Sequence, residues 1–255
     1  MEFIYITKRQ ADILHFLIEK YIEKAEPISS GLIEEISCFN VSAATIRNEL
    51  QELSRKRFIT QPHVSGGRVP TDKGYRFYVD NLPNSGDLLD IRWQKKINSA
   101  LANISNEPRE INKTVAKLLS DLSENVVITG IADEDDFYKT GLANLFESPE
   151  FREINKIFRL TSFFDEFDKV FNDIEKEFFG HFSDDDTFED INVFIGKENR
   201  HPGIKDETVM TAKYNLPSNL IGSLTLIGPT RMHYEKNISM IRYTTEKLNN
   251  LTRKI

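Results

Sequence analysis

Apolar residues near the start of the chain recur at helical spacing. Ile13, Leu14, Leu17, Ile18, Tyr21 and Ile22 repeat every three or four positions, which predicts a helix over Lys8–Lys24 with one buried face and Thr7 as its cap. Pro27 ends the connection, Ser29 or Ser30 opens a second short helix through Leu32, Ile33 and Ile36, and Cys38-Phe39-Asn40 forms the turn before Ser42 caps a third. In that third helix Ile46, Leu50 and Leu53 stand at i, i+4 and i+7 and draw a single apolar stripe. Ser42, Thr45, Asn48, Gln51 and Glu52 then face outward, with Arg47 at the edge of the stripe. Three helices with a tight turn between the second and third make a helix-turn-helix, and a short helix presenting small, hydrogen-bonding side chains suits a DNA major groove.

The period then changes. Phe58-Ile59-Thr60 and Arg68-Val69-Pro70 predict two short strands joined through Pro62, Ser65, Gly66 and Gly67. The glycines would supply the positive φ angles of a hairpin tip, and Pro70 suits an outer edge because it cannot donate to a ladder. Such a hairpin after the third helix is a wing. The breaker cluster Pro83-Asn-Ser-Gly86 places a boundary near residues 81–88, giving domains of residues 1–82 and 83–255. Residues 88–124 read as two helices interrupted around Asn106-Glu107-Pro108, and the β-branched Val126–Ile131 as a buried strand. Residues 150–182 are helical and rich in Phe. Three strand-like segments (191–195, 208–214, 220–227) and a last helix over 237–251 follow. The fold class expected is α+β, with an antiparallel sheet in the second domain.

Charge redistributes this picture rather than contradicting it. The formal net charge of −7 argues against a nucleic-acid binder, but residues 1–80 hold 11 basic and 11 acidic groups, so the acidic excess lies entirely beyond them. Within residues 47–76, Arg47, Arg55, Lys56, Arg57, Arg68, Lys73 and Arg76 outnumber Glu49, Glu52 and Asp72 to leave a local +4. A basic patch on a neutral domain steers toward phosphate. The candidate DNA-contacting residues are Ser42, Ala44, Thr45, Arg47, Asn48, Arg57, His63, Gly67, Arg68 and Lys73. Arg68 would reach a minor groove or grip phosphate, and His63 could touch phosphate.

Other chemistry finds no residues. The single Cys38 excludes an internal disulfide, and no apolar run approaches the roughly 18 to 20 residues of a membrane span. The N-terminus lacks a secretory pattern, so a cytoplasmic protein is expected. Asp133-Glu-Asp-Asp136, and Asp184-Asp-Asp186 with Glu189 and Asp190, read as solvated loops because the spacing of a calcium hand is absent. No zinc spacing, nucleophile elbow or phosphate-binding glycine loop occurs, so neither enzymatic activity nor a cofactor is expected. The Phe run could line an effector pocket or supply core and subunit contacts, and core packing is favoured.

Glu26-Pro-Ile-Ser-Ser30, Val41-Ser-Ala-Ala-Thr-Ile-Arg-Asn-Glu-Leu50, Gln61-Pro-His63 and Gly67-Arg-Val-Pro-Thr-Asp-Lys-Gly-Tyr-Arg-Phe-Tyr-Val-Asp80 resemble the heat-inducible transcription repressor family HrcA. Gly141-Leu-Ala-Asn-Leu, Pro149-Glu-Phe151, Val193-Phe-Ile-Gly-Lys-Glu-Asn199 and Ile221-Gly-Ser-Leu-Thr-Leu-Ile-Gly-Pro-Thr-Arg-Met232, followed by Tyr234 and Tyr243, are similar to that family's C-terminal portion. The resemblance implies a winged helix and a GAF-like domain, acting as a homodimer on the inverted-repeat CIRCE operator of chaperone genes, with a GroE-type chaperonin keeping the repressor active until heat diverts it. Carried onto matching positions, Ser42, Ala44, Thr45, Arg47 and Asn48 would meet the major groove, and Arg68 would serve the wing. The chain departs from the family in its middle. Val126–Ile131 passes almost directly to Phe137-Tyr-Lys-Thr-Gly141, where the family carries an inserted segment that helps dimerisation, so the Phe-rich helices or the last helix would supply the interface. At the wing tip, Val64 and Gly66 replace an expected Thr and Ala. Two alternative functions are a winged-helix regulator whose GAF-like domain binds a small effector, and an interaction scaffold that does not bind DNA.

Overall fold

The computed structural model describes residues 6–36, 39, 41–62, 66–83, 89–102, 104–132, 134, 136–147, 149–151, 153–179 and 191–252. It divides into two compact units, Met1–Pro83 with Thr230–His233, and Asn84–Pro229 with Tyr234–Ile255.

In the first unit, α1 (Lys8–Lys24) begins at Thr7, whose hydroxyl accepts the Gln10 N–H while the Gln10 side chain returns the bond to the Thr7 N–H, each at 3.2 Å. That reciprocal box satisfies two amides left open by the first turn. Ile13, Leu14, Leu17, Ile18 and Ile22 are buried as their spacing predicts, whereas Tyr21 is only half-buried. α2 (Ser30–Ile36) is capped by Ser29, whose hydroxyl accepts the Leu32 N–H at 3.1 Å. Of the expected turn Cys38-Phe39-Asn40, Phe39 alone lies within the described residues, edge-on to Phe16 with ring centroids 5.8 Å apart. α3 (Ala43–Arg55) starts at Ser42 and buries Ile46, Leu50 and Leu53. Glu49 is buried with them, which the apolar stripe did not anticipate.

The wing strands, β1 (Ile59–Thr60) and β2 (Val69–Pro70), pair antiparallel. They do not stand alone: Arg68 exchanges both backbone hydrogen bonds with Ile28, at 2.8 and 2.9 Å, so the connection between α1 and α2 adds a third line of pairing. Gly67 follows from this contact rather than from a turn. Its φ is not positive, contrary to expectation, but a Cβ there would lie 2.6 Å from the Pro27 carbonyl oxygen and the Ile28 carbonyl carbon. Residues 72–80, unassigned from periodicity, form α4 (Asp72–Asp80). Thr71 caps it through the Gly74 N–H, and Gly74 lets the helix pass so close to the Phe58 carbonyl oxygen that a Cβ would sit 2.2 Å from it.

The second unit contains α5 (Ile91–Leu101), α6 (Pro108–Ser123), β3 (Val126–Ile131), β4 (Phe137–Thr140), α7 (Leu142–Glu147), α8 (Ile154–Phe179), β5 (Asn192–Ile195), β6 (Glu207–Asn215), β7 (Ile221–Pro229) and α9 (Tyr234–Thr252). The five strands form one antiparallel sheet in the order β4-β3-β7-β6-β5. Alternation along the strands sorts its two faces. Thr129, Thr208 and Tyr214 meet α6 and α9: the Thr129 hydroxyl donates to the Asn112 carbonyl at 2.9 Å, Thr208 bonds Tyr234 at 2.9 Å, and the Tyr214 hydroxyl donates to the Asn112 side chain. Val126, Ile128, Val209 and Ile227 face the other way onto Leu160, Phe163, Phe164 and Phe167 of α8. Most of the described Phe side chains of the helical run are therefore core, as favoured, but Phe158 points outward and is 67% exposed. The aromatic side chains beyond Phe167 in that run lie outside the described residues.

β4 is a strand that periodicity did not assign, because its four residues are all half-buried. It returns from β3 through a short turn closed by the Ile131 N–H on the Asp136 carbonyl at 3.0 Å. Asp136 also pairs with Arg109, so this part of the first acidic cluster is engaged rather than merely solvated. The second cluster, residues 184–186 with 189 and 190, falls outside the described residues.

Candidate nucleic-acid interface

The outward face of α3 carries Ser42, Ala44, Arg47, Asn48 and Gln51, all exposed, with Thr45 half-buried beside them. Ser42 orders the first turn: its hydroxyl oxygen lies 3.2 Å from the Thr45 amide, which donates to it, and 3.1 Å from the Thr45 hydroxyl. Ser42, Ala44, Thr45, Arg47 and Asn48 therefore sit within the first two turns of a helix whose fraying is suppressed by its cap, and a helix N-terminus carries partial positive charge.

A cleft of about 610 Å³ opens between this helix and the wing, lined by Arg47, Gln51, Gln61, Gly67 and Arg68. The Gln61 side chain donates to the Gly66 carbonyl at 3.0 Å and stiffens the wing from within. Arg68 does not project from the wing tip. Its backbone is fixed to Ile28, and its Nε donates to the Ser54 hydroxyl of α3 at 3.3 Å, so its guanidinium spans the cleft toward the helix. Two cations and two amides thus line one groove, a set suited to a sugar–phosphate strand.

The remaining basic candidates lie at the other end of α3. Arg57 is exposed, with a left-handed backbone (φ 63°) and its N–H donating to the Ser54 carbonyl at 3.0 Å. Lys73 reaches across from α4, donates to the Lys56 carbonyl at 2.9 Å and lies 4.3 Å from the centre of the Phe58 ring. Burial, with the Arg57 and Lys56 charges beside it, moves its ammonium below the usual lysine range. Its charge closes the C-terminal end of α3, where cations meet unsatisfied carbonyls. Neither Arg57 nor Lys73 lines the cleft, and His63 falls outside the described residues. Two lining residues, Gln51 and Gln61, were not among the candidates; Gln51 was legible as outward-facing, whereas Gln61 takes its place only through the fold of the wing.

A capped recognition helix beside a three-line wing and a basic cleft defines a winged helix-turn-helix, DNA-binding class of protein. Residues 5–81 match the family model described as the winged helix-turn-helix transcription repressor, HrcA DNA-binding, and residues 86–238 match the HrcA protein C-terminal domain. The chain belongs to the HrcA family, one of transcription repressors rather than enzymes. Among its relatives, the heat-inducible transcription repressor HrcA of Oceanobacillus iheyensis is 26% identical over 341 aligned positions, spanning 96% of this chain and 97% of that protein. That of Clostridium tetani is 28% identical over 346, spanning 96% and 95%. Both alignments are longer than the 255 residues of this chain, so the relatives carry segments that it lacks. A crystal structure of a hypothetical protein shares the fold at a TM-score of 0.77 and 19% identity, covering 98% of this chain and 99% of that one. Among the described residues, no helix is long and apolar enough to cross a membrane.

Proposed function

We propose that the protein represses heat-shock genes from the cytoplasm by binding an inverted-repeat operator of the CIRCE type as a homodimer, with α3 in the major groove. Ser42, Ala44, Thr45, Arg47 and Asn48 meet base edges, and the strand separating major from minor groove passes through the cleft, where Arg68 holds phosphate. The observation that carries this reading is the cluster of exposed, hydrogen-bonding residues on one capped helix face, opening directly onto a cleft with Arg47 and Arg68 on its walls. Two such surfaces related by a two-fold axis read two half-sites one helical turn, or a multiple of it, apart. Because the chain is shorter than its relatives, the dimer contact in this reading is made by the Phe-rich helices or the last helix. A GroE-type chaperonin is the partner that links activity to heat in this reading, as the family resemblance implies.

Fluorescence anisotropy at moderate salt, comparing an inverted-repeat duplex with a scrambled duplex of equal length, tests the proposal. Preferential binding of two protomers per inverted repeat is expected. Equal affinity for both duplexes would defeat it.

A further inference from the structure

The buried face of α3 carries one charged residue, Glu49, 8% exposed among Ile46, Leu50 and Leu53. A carboxylate on an apolar stripe is costly unless its oxygens are satisfied, and both are. Oε1 accepts the Arg9 Nε–H at 2.7 Å, and Oε2 accepts from the Gln10 side-chain amide at 2.8 Å. Gln10 is itself buried and fully used: its carbonyl oxygen accepts the Lys56 ammonium at 3.1 Å and the Thr7 N–H at 3.2 Å. The first turn of α1 is therefore tied to the middle of α3 through Glu49 and to its C-terminal end through Lys56.

We propose that Glu49 is a positioning residue for DNA reading, setting the roll of α3 about its axis and hence which side chains reach the bases. The inference rests on α3 being the operator-reading helix. Ile46, Leu50 and Leu53 hold the rest of that face by apolar contact, which is non-directional, and the bond from Arg68 of the wing to the Ser54 hydroxyl, at 3.3 Å, is longer than either Glu49 bond. Hydrogen bonds to a carboxylate are directional and lose strength within a few tenths of an ångström. With a side-chain radius of about 5–6 Å, a roll of about 20° carries an outer group about 2 Å, enough to break a base contact. Asn48 and Arg47 are one and two residues from the buried Glu49 and are exposed, so any roll passes directly to them. Burial raises the Glu49 carboxyl, but the Gln10 and Arg9 hydrogen bonds and the Arg9 and Lys56 charges outweigh it and hold the group below its ordinary value, so the clamp is ionised at neutral pH.

Affinity of the full chain for an inverted-repeat duplex and for a scrambled duplex, at one salt concentration, tests the inference in Glu49→Gln and Gln10→Met. The first removes the charge at constant shape. The second keeps the charge but removes the donor to Glu49 and the acceptor for Lys56. Both variants are expected to lower the ratio of operator to scrambled affinity about tenfold, the worth of one aligned base contact. Scrambled-DNA affinity should hold steady or, in Glu49→Gln, rise, because one negative charge near the phosphates is gone. A merely structural role would lower both affinities together by reducing the folded fraction; an unchanged ratio in the two variants overturns the inference. A wild-type protein that does not prefer the operator would overturn the repressor reading itself, before either variant is measured.

Discussion

Arg47 and Arg68 sit on the two walls of one cleft, yet their surroundings give them different work. Arg47 is exposed on the helix face and, among the described residues, enters no ion pair or hydrogen bond, so its fork is available to a base edge. Its replacement by Ala should cost about 1–3 kcal/mol on the operator, concentrated at particular base pairs, which binding to single-base operator variants would show. Arg68 is fixed by Ile28 and Ser54 and, under the proposed function, would meet whichever strand occupied the cleft. Arg68→Ala should weaken binding to all sequences alike and reduce the slope of log K against log salt by about 1, as a salt titration would read. Lys73 lies away from the cleft, on the Lys56 carbonyl and the Phe58 ring. Lys73→Ala should lower the stability of the first unit by about 1 kcal/mol, through the lost carbonyl cap and ring contact, and leave the affinity of folded protein nearly unchanged. Local charge counting could not separate these lysines and arginines, because it sums charge without knowing which cations are already spent on carbonyls. Periodicity did place Ser42, Asn48 and Gln51 on the exposed face with Arg47 at its edge, since a capped helix exposes residues by a rule local to the helix.

At the scale of elements, the contacts hidden from periodicity are those made between segments distant in sequence. Gly67 suggested a hairpin tip because glycine is the usual residue there, but its role is set by Pro27 and Ile28, whose backbone leaves no room for a Cβ. α4 escaped notice because Gly74 weakens its helix propensity, and the need for that glycine lies in the Phe58 carbonyl it approaches. The buried Glu49 was readable as an anomaly, an acid at the heptad-like spacing of Ile46 and Leu53, but its partners Arg9 and Gln10 were not. The strands β3, β6 and β7 were legible because the first is a continuous β-branched run and the other two lie between clear breakers, whereas the half-buried edge strand β4 left no pattern. Gly67→Ala follows from the same geometry. With backbone 2.6 Å from the new methyl on both Pro27 and Ile28, the wing must shift away from the connection between α1 and α2, at about 1–3 kcal/mol. A lowered melting temperature together with a loss of Arg68-dependent salt sensitivity would confirm that the third line of pairing places the cleft wall; a normal melting temperature would refute it.

Across the whole molecule, one buried carboxyl in each unit responds to acid, and the two do so in opposite senses. In the first, Glu49 is held below its ordinary carboxyl value, so its contribution is present at neutral pH and is lost as pH falls through its folded value. In the second, Glu207 opens β6 fully buried, and burial raises it from 4.5 to about 7 despite the Lys156 ammonium 3.2 Å away and the nearby Arg159, with Asp206 adding to the rise. A carboxyl whose folded value exceeds its unfolded one contributes fully below the unfolded value and loses that contribution as pH climbs to the folded one. For this shift the loss between pH 4.5 and pH 7 is on the order of 3 kcal/mol. The single tryptophan, Trp93, lies on α5 of the second unit, between the Lys96 and Lys236 ammoniums at 4.8 and 4.5 Å from its ring. Urea unfolding followed by its fluorescence therefore reports that unit, and its midpoint should rise as pH is lowered from 8 to 5. Glu207→Gln, which cannot ionise, should flatten that rise. Wild-type and variant midpoints that run parallel from pH 8 to 5 would show that Glu207 is not the group responsible.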